Sequence, residues 1–216
     1  MSKLNLNLTH IRREYESKPL LETDVQMNPF EQFKIWFDEY IAISPPEPTA
    51  MVVCSVDDKG FPDSRVVLLK EIWQEQFVFF TNYLSHKATQ MLLHPHVALN
   101  FHWPELNRQI RVRGRSKKTP EHLSEKYFLE RPFESQCAAI ASPQSHKVTS
   151  RQKLEEMYQA SLHKYSHKPM NRPEYWGGFA VLPVQFEFWQ GRTSRLHDRI
   201  LYKKNGDEWV ICRLAP

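Results

Sequence analysis

Short runs of β-branched and aromatic residues, cut apart by turn-forming residues, constrain this chain most. "AMVVCSV" (50–56), "SRVVLLKEI" (64–72) and "QFVFFT" (76–81) are separated by "DDKG" and "WQEQ". Branched and aromatic side chains pack well on a pleated surface, so such runs predict strands. "VALNFHW" (97–103) and "RQIRVRGRSKK" (108–118) predict another pair. In the second, Gln109, Arg111 and Arg113 share one face, and Ile110 and Val112 share the other. The chain returns to strands in "GFAVLPVQFEFWQG", "RLHDRILYKK" and "EWVICRLAP", with Asn205-Gly206 as a hairpin turn between the last two.

Helical patterns interrupt these runs. In "NPFEQFKIWFDEYIAI", Phe30, Phe33, Trp36, Phe37, Tyr40 and Ile41 follow helical spacing. Asn28 stands as N-cap, Pro29 opens the helix, and "SPPEP" stops it. Ser85 caps "SHKATQMLLH", Thr119-Pro120 opens "PEHLSEKYFLER", and Ser150 caps "RQKLEEMYQASLHKYS". Pro132 ends the second of these and precedes a short helix, "ESQCAAIAS". There is no regular alternation of strand and helix. The expectation is an α+β, mainly β fold: an antiparallel barrel or sandwich with helices at its ends. Neither GxGxxG nor GxxxxGK[ST] occurs, so no dinucleotide or P-loop fold is indicated. Residues 1–27 are polar and read as a flexible arm, with 28–216 as the folded domain.

Composition narrows the partners. Hydrophobic residues make up 41% of the 216, enough for a core. A formal net charge of +4 is too weak to indicate nucleic acid and suits anionic small molecules. Cys54, Cys137 and Cys212 lie far apart without a CxxC pair. That argues against a disulfide framework or a zinc site, so no metal is expected. The N-terminus lacks an apolar signal segment, and no stretch approaches the roughly 20 apolar residues of a membrane span. A cytoplasmic setting without membrane contact is expected.

Three groupings could carry chemistry. In "FWQGRTSRLHDR", read as a strand start, Arg195, His197 and Arg199 project from one face, and Leu196, Asp198 and Ile200 from the other. Spacing alone leaves a solvated charged face or, with Trp189 beside it, a surface that holds a planar anion. In "YFLERPFES", Tyr127 and Arg131 stand at i, i+4, and Ser135 sits in the turn after Pro132. That is either a surface cluster or a phosphate site at a helix start. The third grouping joins "SRVVLLK" to "TNYLSHKA". There Arg65 and Lys70 have opposite strand parity, and Ser85, His86 and Lys87 begin a helix. Together the groupings suggest two anion pockets with aromatic surfaces, as a phosphorylated cofactor and a phosphorylated substrate need.

The closing run "FEFWQGRTSRLHDR" resembles the signature of the pyridoxine (pyridoxamine) 5′-phosphate oxidase family. "HIRREY", "SRVVLLK", "FFTN", "RQIRVRG", "KYFLERPFESQ", "SPQS" and "RLAP" resemble it in the same order. The resemblance implies an FMN-binding split β-barrel and a homodimer with two FMN sites at the subunit interface. It implies oxidation of pyridoxine or pyridoxamine 5′-phosphate to pyridoxal 5′-phosphate, with O2 giving H2O2.

Site residues follow from the same resemblance. Arg65, Val66, Val67, Leu68, Leu69 and Lys70 are implied FMN contacts, as are Phe80, Thr81 and Lys87. So are Gln109, Gln144, Ser145, Trp189 and Arg199. Arg65, Lys87 and Ser145 are assigned to the FMN phosphate. Lys70, Tyr127, Arg131 and Ser135 are assigned to the substrate phosphate, and Arg195 and His197 to catalysis over the pyridine ring. Arg12 and Tyr15 match an arm over the substrate. His86 stands where the family commonly has Arg, which makes a permanent charge near the FMN phosphate titratable. Another split-barrel flavoprotein, such as a flavin reductase-like enzyme, is the alternative within the fold. A B6-phosphate carrier without turnover, or a nucleic-acid module using "RQIRVRGRSKK", are alternatives from other classes.

Overall fold

A computed structural model describes residues 8–9 and 14–216. The strands among the described residues are β1 (Ala50–Val56), β2 (Pro62–Leu68), β3 (Glu71–Trp73), β4 (Gln76–Asn82), β5 (His96–Trp103), β6 (Arg108–Lys118), β7 (Trp176–Gln190), β8 (Asp198–Asn205) and β9 (Glu208–Arg213). The α-helices among the described residues are α1 (Pro29–Ala42), α2 (His86–Leu93), α3 (Glu121–Glu130), α4 (Phe133–Ala141) and α5 (Arg151–Tyr165). The sheet runs β2-β1-β5-β6-β7-β4-β3, with β8 on β7 and β9 on β8. Pairs β1–β2, β1–β5, β3–β4, β4–β7 and β8–β9 are antiparallel. None of the described helices is long and apolar enough to cross a membrane.

The chain divides into two compact units. The first holds the described residues up to Ser44, with His102–Ile110 and Phe186–Pro216. Its core is aromatic. Phe33, Trp36 and Tyr40 of α1 are buried at helical spacing. Tyr40 stacks on Trp103 at 4.8 Å between ring centres, and Trp36 meets Phe188 edge-on at 5.2 Å. Asn28 caps α1 by accepting from the Phe30 amide at 2.8 Å, which satisfies a donor the helix leaves orphaned. Residues 14–27 contain no helix or strand. Leu20 is nevertheless buried; its amide donates to Asp198, and its carbonyl accepts from Arg213.

The second unit holds Pro45–Phe101 and Arg111–Gln185. β4 is buried on both faces, with Phe77, Val78 and Phe79 fully so. In β6, Val112 is buried while Arg111, Arg113 and Arg115 are exposed, the alternation expected of a half-buried strand. Phe128, Cys137, Met170 and Trp176 form a smaller cluster beneath α3, α4 and α5.

One expected strand proves to be two. The run 64–72 breaks after Leu68. Leu69 still donates its amide to Thr49, but Lys70 donates to Val78, and β3 pairs with β4. The backbone changes partner at this point, so residues on either side no longer follow one alternation.

Candidate active site

A cavity of about 560 Å³ opens in the second unit, within the range of small-molecule sites. β2 contributes Arg65, Val66, Val67 and Leu68, and the partner switch contributes Lys70. Phe80 and Thr81 come from β4, Lys87 from α2, and Tyr127, Arg131 and Ser135 from the α3–α4 corner; Gln144 follows α4. Opposite strand parity does not require Arg65 and Lys70 to meet, but the strand is broken between them. Both line this cavity.

Three of these cations, Arg65, Lys87 and Arg131, are held or left wanting in specific ways. Arg65 pairs with Asp63 and donates to Ser55 Oγ at 2.5 Å and Gln90 Oε1 at 3.3 Å. Lys87 Nζ donates to Thr81 Oγ1 at 3.2 Å. Burial first, and then the Arg65 charge, push the Lys87 pKa down, opposed by Asp63. An ammonium in that position gains from an incoming anion. Arg131 caps α3 at its C-terminus in extended backbone, so it does not continue the helix with Tyr127. Its guanidinium lies 4.8 Å from the centre of the Trp176 ring. Arg131 Nη1 is buried with no hydrogen-bond partner among the described residues, and burial lowers the Arg131 pKa. A buried, unpartnered donor on a cation is costly unless a ligand satisfies it.

The aromatic wall beside these cations is ordered. Phe80 stacks on Tyr127 at 4.1 Å and on Trp176 at 5.6 Å. Thr81 Oγ1 donates to Gln144 Oε1 at 2.9 Å, and the Asn82 amide donates to the same oxygen.

Other expected site residues lie elsewhere. Leu69 is in the core. His86 is exposed at the start of α2 and does not line the cavity. Ser145 follows Gln144, exposed and with φ of 69°. Arg12 lies outside the described residues. The first unit has a cavity of about 270 Å³, to which Tyr15, Gln109 and Trp189 contribute. Beside Trp189, the His197 ring lies 4.7 Å away, and Tyr15 meets His197 edge-on at 5.5 Å. Arg199 is ion-paired to Glu187 at 2.9 Å and donates to the Ala215 carbonyl.

The expectation that Arg195, His197 and Arg199 alternate along a strand is corrected. β8 begins only at Asp198, and Thr193–Arg195 form a short 3-10 turn. Ser194 and Arg195 both have positive φ, so the chain reverses where extended backbone was assumed. Asp198 does not sit apart from the cations. It pairs with Arg192 at 3.4 Å and Arg213 at 2.7 Å.

Comparison with known proteins decides the family. Residues 37–167 match the family model described as pyridoxamine 5′-phosphate oxidase. The chain belongs to the pyridoxamine 5′-phosphate oxidase family. Residues 176–216 match the model for the pyridoxine 5′-phosphate oxidase C-terminal dimerisation region. A family relative from Legionella pneumophila (strain Lens), named pyridoxine/pyridoxamine 5′-phosphate oxidase, is 49% identical across all of both chains. One of the same name from Haemophilus influenzae (strain 86-028NP) is 47% identical over 98% of this chain and all of its own.

Solved structures show the split-barrel fold of the pyridoxamine 5′-phosphate oxidase family. PhzG from Burkholderia lata 383, in complex with tetrahydrophenazine-1-carboxylic acid, superposes with a TM-score of 0.86 at 24% identity. That match covers 93% of this chain and 99% of that one. A pyridoxamine 5′-phosphate oxidase-related, FMN binding protein from Nostoc punctiforme PCC 73102 gives 0.68 at 15% identity, covering 89% and 100%.

Sequence reasoning missed two sets of residues. Trp176 underlies Arg131 and the Phe80–Tyr127 stack; the signal was the "YWGGF" run, where glycines permit close approach. A Cβ on Gly178 would lie 2.7 Å from Thr119 Oγ1 and 2.9 Å from Phe80 Cε1. Ser55 and Gln90, which hold Arg65, carry no motif, because only the fold brings β1 and α2 to β2.

Proposed function

We propose that the chain oxidises pyridoxine 5′-phosphate or pyridoxamine 5′-phosphate to pyridoxal 5′-phosphate with bound FMN, O2 being reduced to H2O2. The observation that carries this is the cavity of a family member in which Arg65, Lys70, Lys87 and Arg131 surround an aromatic wall. The residues present fit FMN and a phosphorylated substrate: the disfavoured charge of Lys87 calls for one anion, and Arg131 Nη1, without a partner among the described residues, calls for a second.

We assign Arg65 and Lys87, with Ser145, to the flavin phosphate. Lys70, Tyr127, Arg131 and Ser135 are assigned to the substrate phosphate. FMN, when bound, supplies the two-electron acceptor and its reoxidation by O2, which no side chain can supply. The protein's part is placement. Lys70, Tyr127, Arg131 and Ser135 would anchor the substrate's phosphate and so remove much of the orientational cost of the reaction. Arg65, Lys70, Lys87 and Arg131, which line the cavity, would stabilise negative charge that builds up there during the reaction. The alcohol loses a hydride and a proton to give the aldehyde. The amine gives an imine, whose hydrolysis releases ammonia.

Trp189, Arg195, His197 and Arg199 all fall within the region matched as a dimerisation region. We infer a homodimer in which the partner's C-terminal segment brings these residues over the cavity and so completes the site. Cys54, Cys137 and Cys212 are unpaired, which suits the reducing cytoplasm.

The reading is tested by incubating the FMN-loaded protein with pyridoxamine 5′-phosphate in air. It requires peroxide, ammonia and aldehyde in equal amounts. Binding without peroxide would make the protein a carrier instead.

A further inference from the structure

We infer that His197 presents a fixed Nε2–H donor to the substrate and is not the group that accepts the substrate's proton. The inference rests on the function proposed above, but its structural half stands on the hydrogen bonding alone. The backbone amide of Arg192 donates to His197 Nδ1 at 3.0 Å. A backbone N–H can only donate, so Nδ1 holds a lone pair, and the neutral ring carries its proton on Nε2.

The donor to Nδ1 is itself held. The Arg192 guanidinium reaches Asp198 Oδ2 at 3.4 Å and donates to the Ser17 carbonyl. Asp198 also accepts from the Leu20 amide at 3.0 Å and from Arg213 Nη1 at 2.7 Å. Trp189 and Tyr15 pack on the ring, at 4.7 and 5.5 Å between centres. A second proton on Nδ1 would set N–H against N–H. Burial and the Arg195 charge also discourage protonation, while the Asp198 charge favours it.

Only Nε2 is left to meet a ligand, and it already carries a proton. It can donate to an oxygen of the B6 ester, where negative charge is then stabilised. It cannot take the proton released with the hydride. That proton leaves to water or to another group. The Arg192 amide thereby acts as a positioning group, setting the tautomer from outside the site.

The test is nuclear magnetic resonance of protein carrying 15N-labelled histidine and arginine, FMN-loaded and flavin-free, at neutral pH. The expected result is a non-protonated Nδ1 and a protonated Nε2 for His197, with a correlation across the hydrogen bond from the Arg192 amide to Nδ1. His197→Asn assigns the resonances; if it does not fold, the correlation itself assigns them. A proton on Nδ1, or an even mixture of tautomers in the FMN-loaded protein, overturns the inference. Because the shifts are also read without flavin, this outcome is separate from whether B6 phosphates are oxidised.

Discussion

The guanidinium of Arg131 lies 4.8 Å from the centre of the Trp176 ring, with its Nη1 buried and unpartnered among the described residues. A cation stacked on an aromatic face and short of one acceptor is set up for an anionic ligand. Arg131→Ala should raise KM for a B6 phosphate roughly tenfold to a hundredfold, the scale of one lost hydrogen bond to a charged group. Steady-state kinetics with FMN saturating would show this; an unchanged KM would remove Arg131 from the substrate site.

If the dimer completes the site, two defective proteins should rescue each other. Arg131→Ala and His197→Asn homodimers each carry two damaged sites. A mixed dimer has one site with both defects and one with neither. Unfolding and refolding an equal mixture should restore about a quarter of the wild-type rate, because half the dimers are mixed and each has one intact site. No recovery beyond the sum of the parents would mean that both residues serve the same site from one chain.

Gly178→Ala tests the close approach under Phe80. The added methyl would meet both Thr119 and the Phe80 ring. Overpacking of this kind costs about 1–3 kcal/mol. We expect a lower urea midpoint and weaker FMN retention, measured by denaturation and by flavin fluorescence. Wild-type behaviour in both would show that the two neighbours yield freely.

The His197 imidazole titrates below its ordinary value of 6.5, chiefly through burial and then the Arg195 charge, with Asp198 opposing. The sign follows from linkage. A base whose folded-state pKa is depressed is stabilising above its unfolded pKa, and that contribution is lost as pH falls through 6.5 toward the folded value. Wild-type protein should therefore lose stability between pH 7 and 5 more steeply than His197→Asn, which cannot be protonated. Parallel midpoints across that range would contradict the depressed pKa.

Much of the fold is legible in residue order. Strands 50–56 and 108–118 appear with the expected bounds, because the apolar residues there, such as Met51 and Val53 or Ile110 and Val112, coincide with the buried positions of the alternation. The caps at Asn28 and Ser150 are equally direct, each accepting from an amide of its own helix. The site is legible only in part. Arg65 and Lys70 are recognisable as residue types, but their convergence depends on a change of pairing partner at Leu69–Lys70 that no local pattern signals. The run from Arg192 to Arg199 misleads for a related reason. Alternation presumes extended backbone, and Ser194 and Arg195 both turn left-handed. Long-range partners such as Ser55 and Gln90 are ordinary residues until the fold brings them to Arg65.

The most direct test removes oxygen. FMN-loaded protein is mixed anaerobically with pyridoxamine 5′-phosphate or pyridoxine 5′-phosphate, and the flavin absorbance is followed before and after air is admitted. The account predicts that the yellow colour bleaches with at least one ester and returns in air with stoichiometric peroxide. Colour that persists with both esters would contradict it.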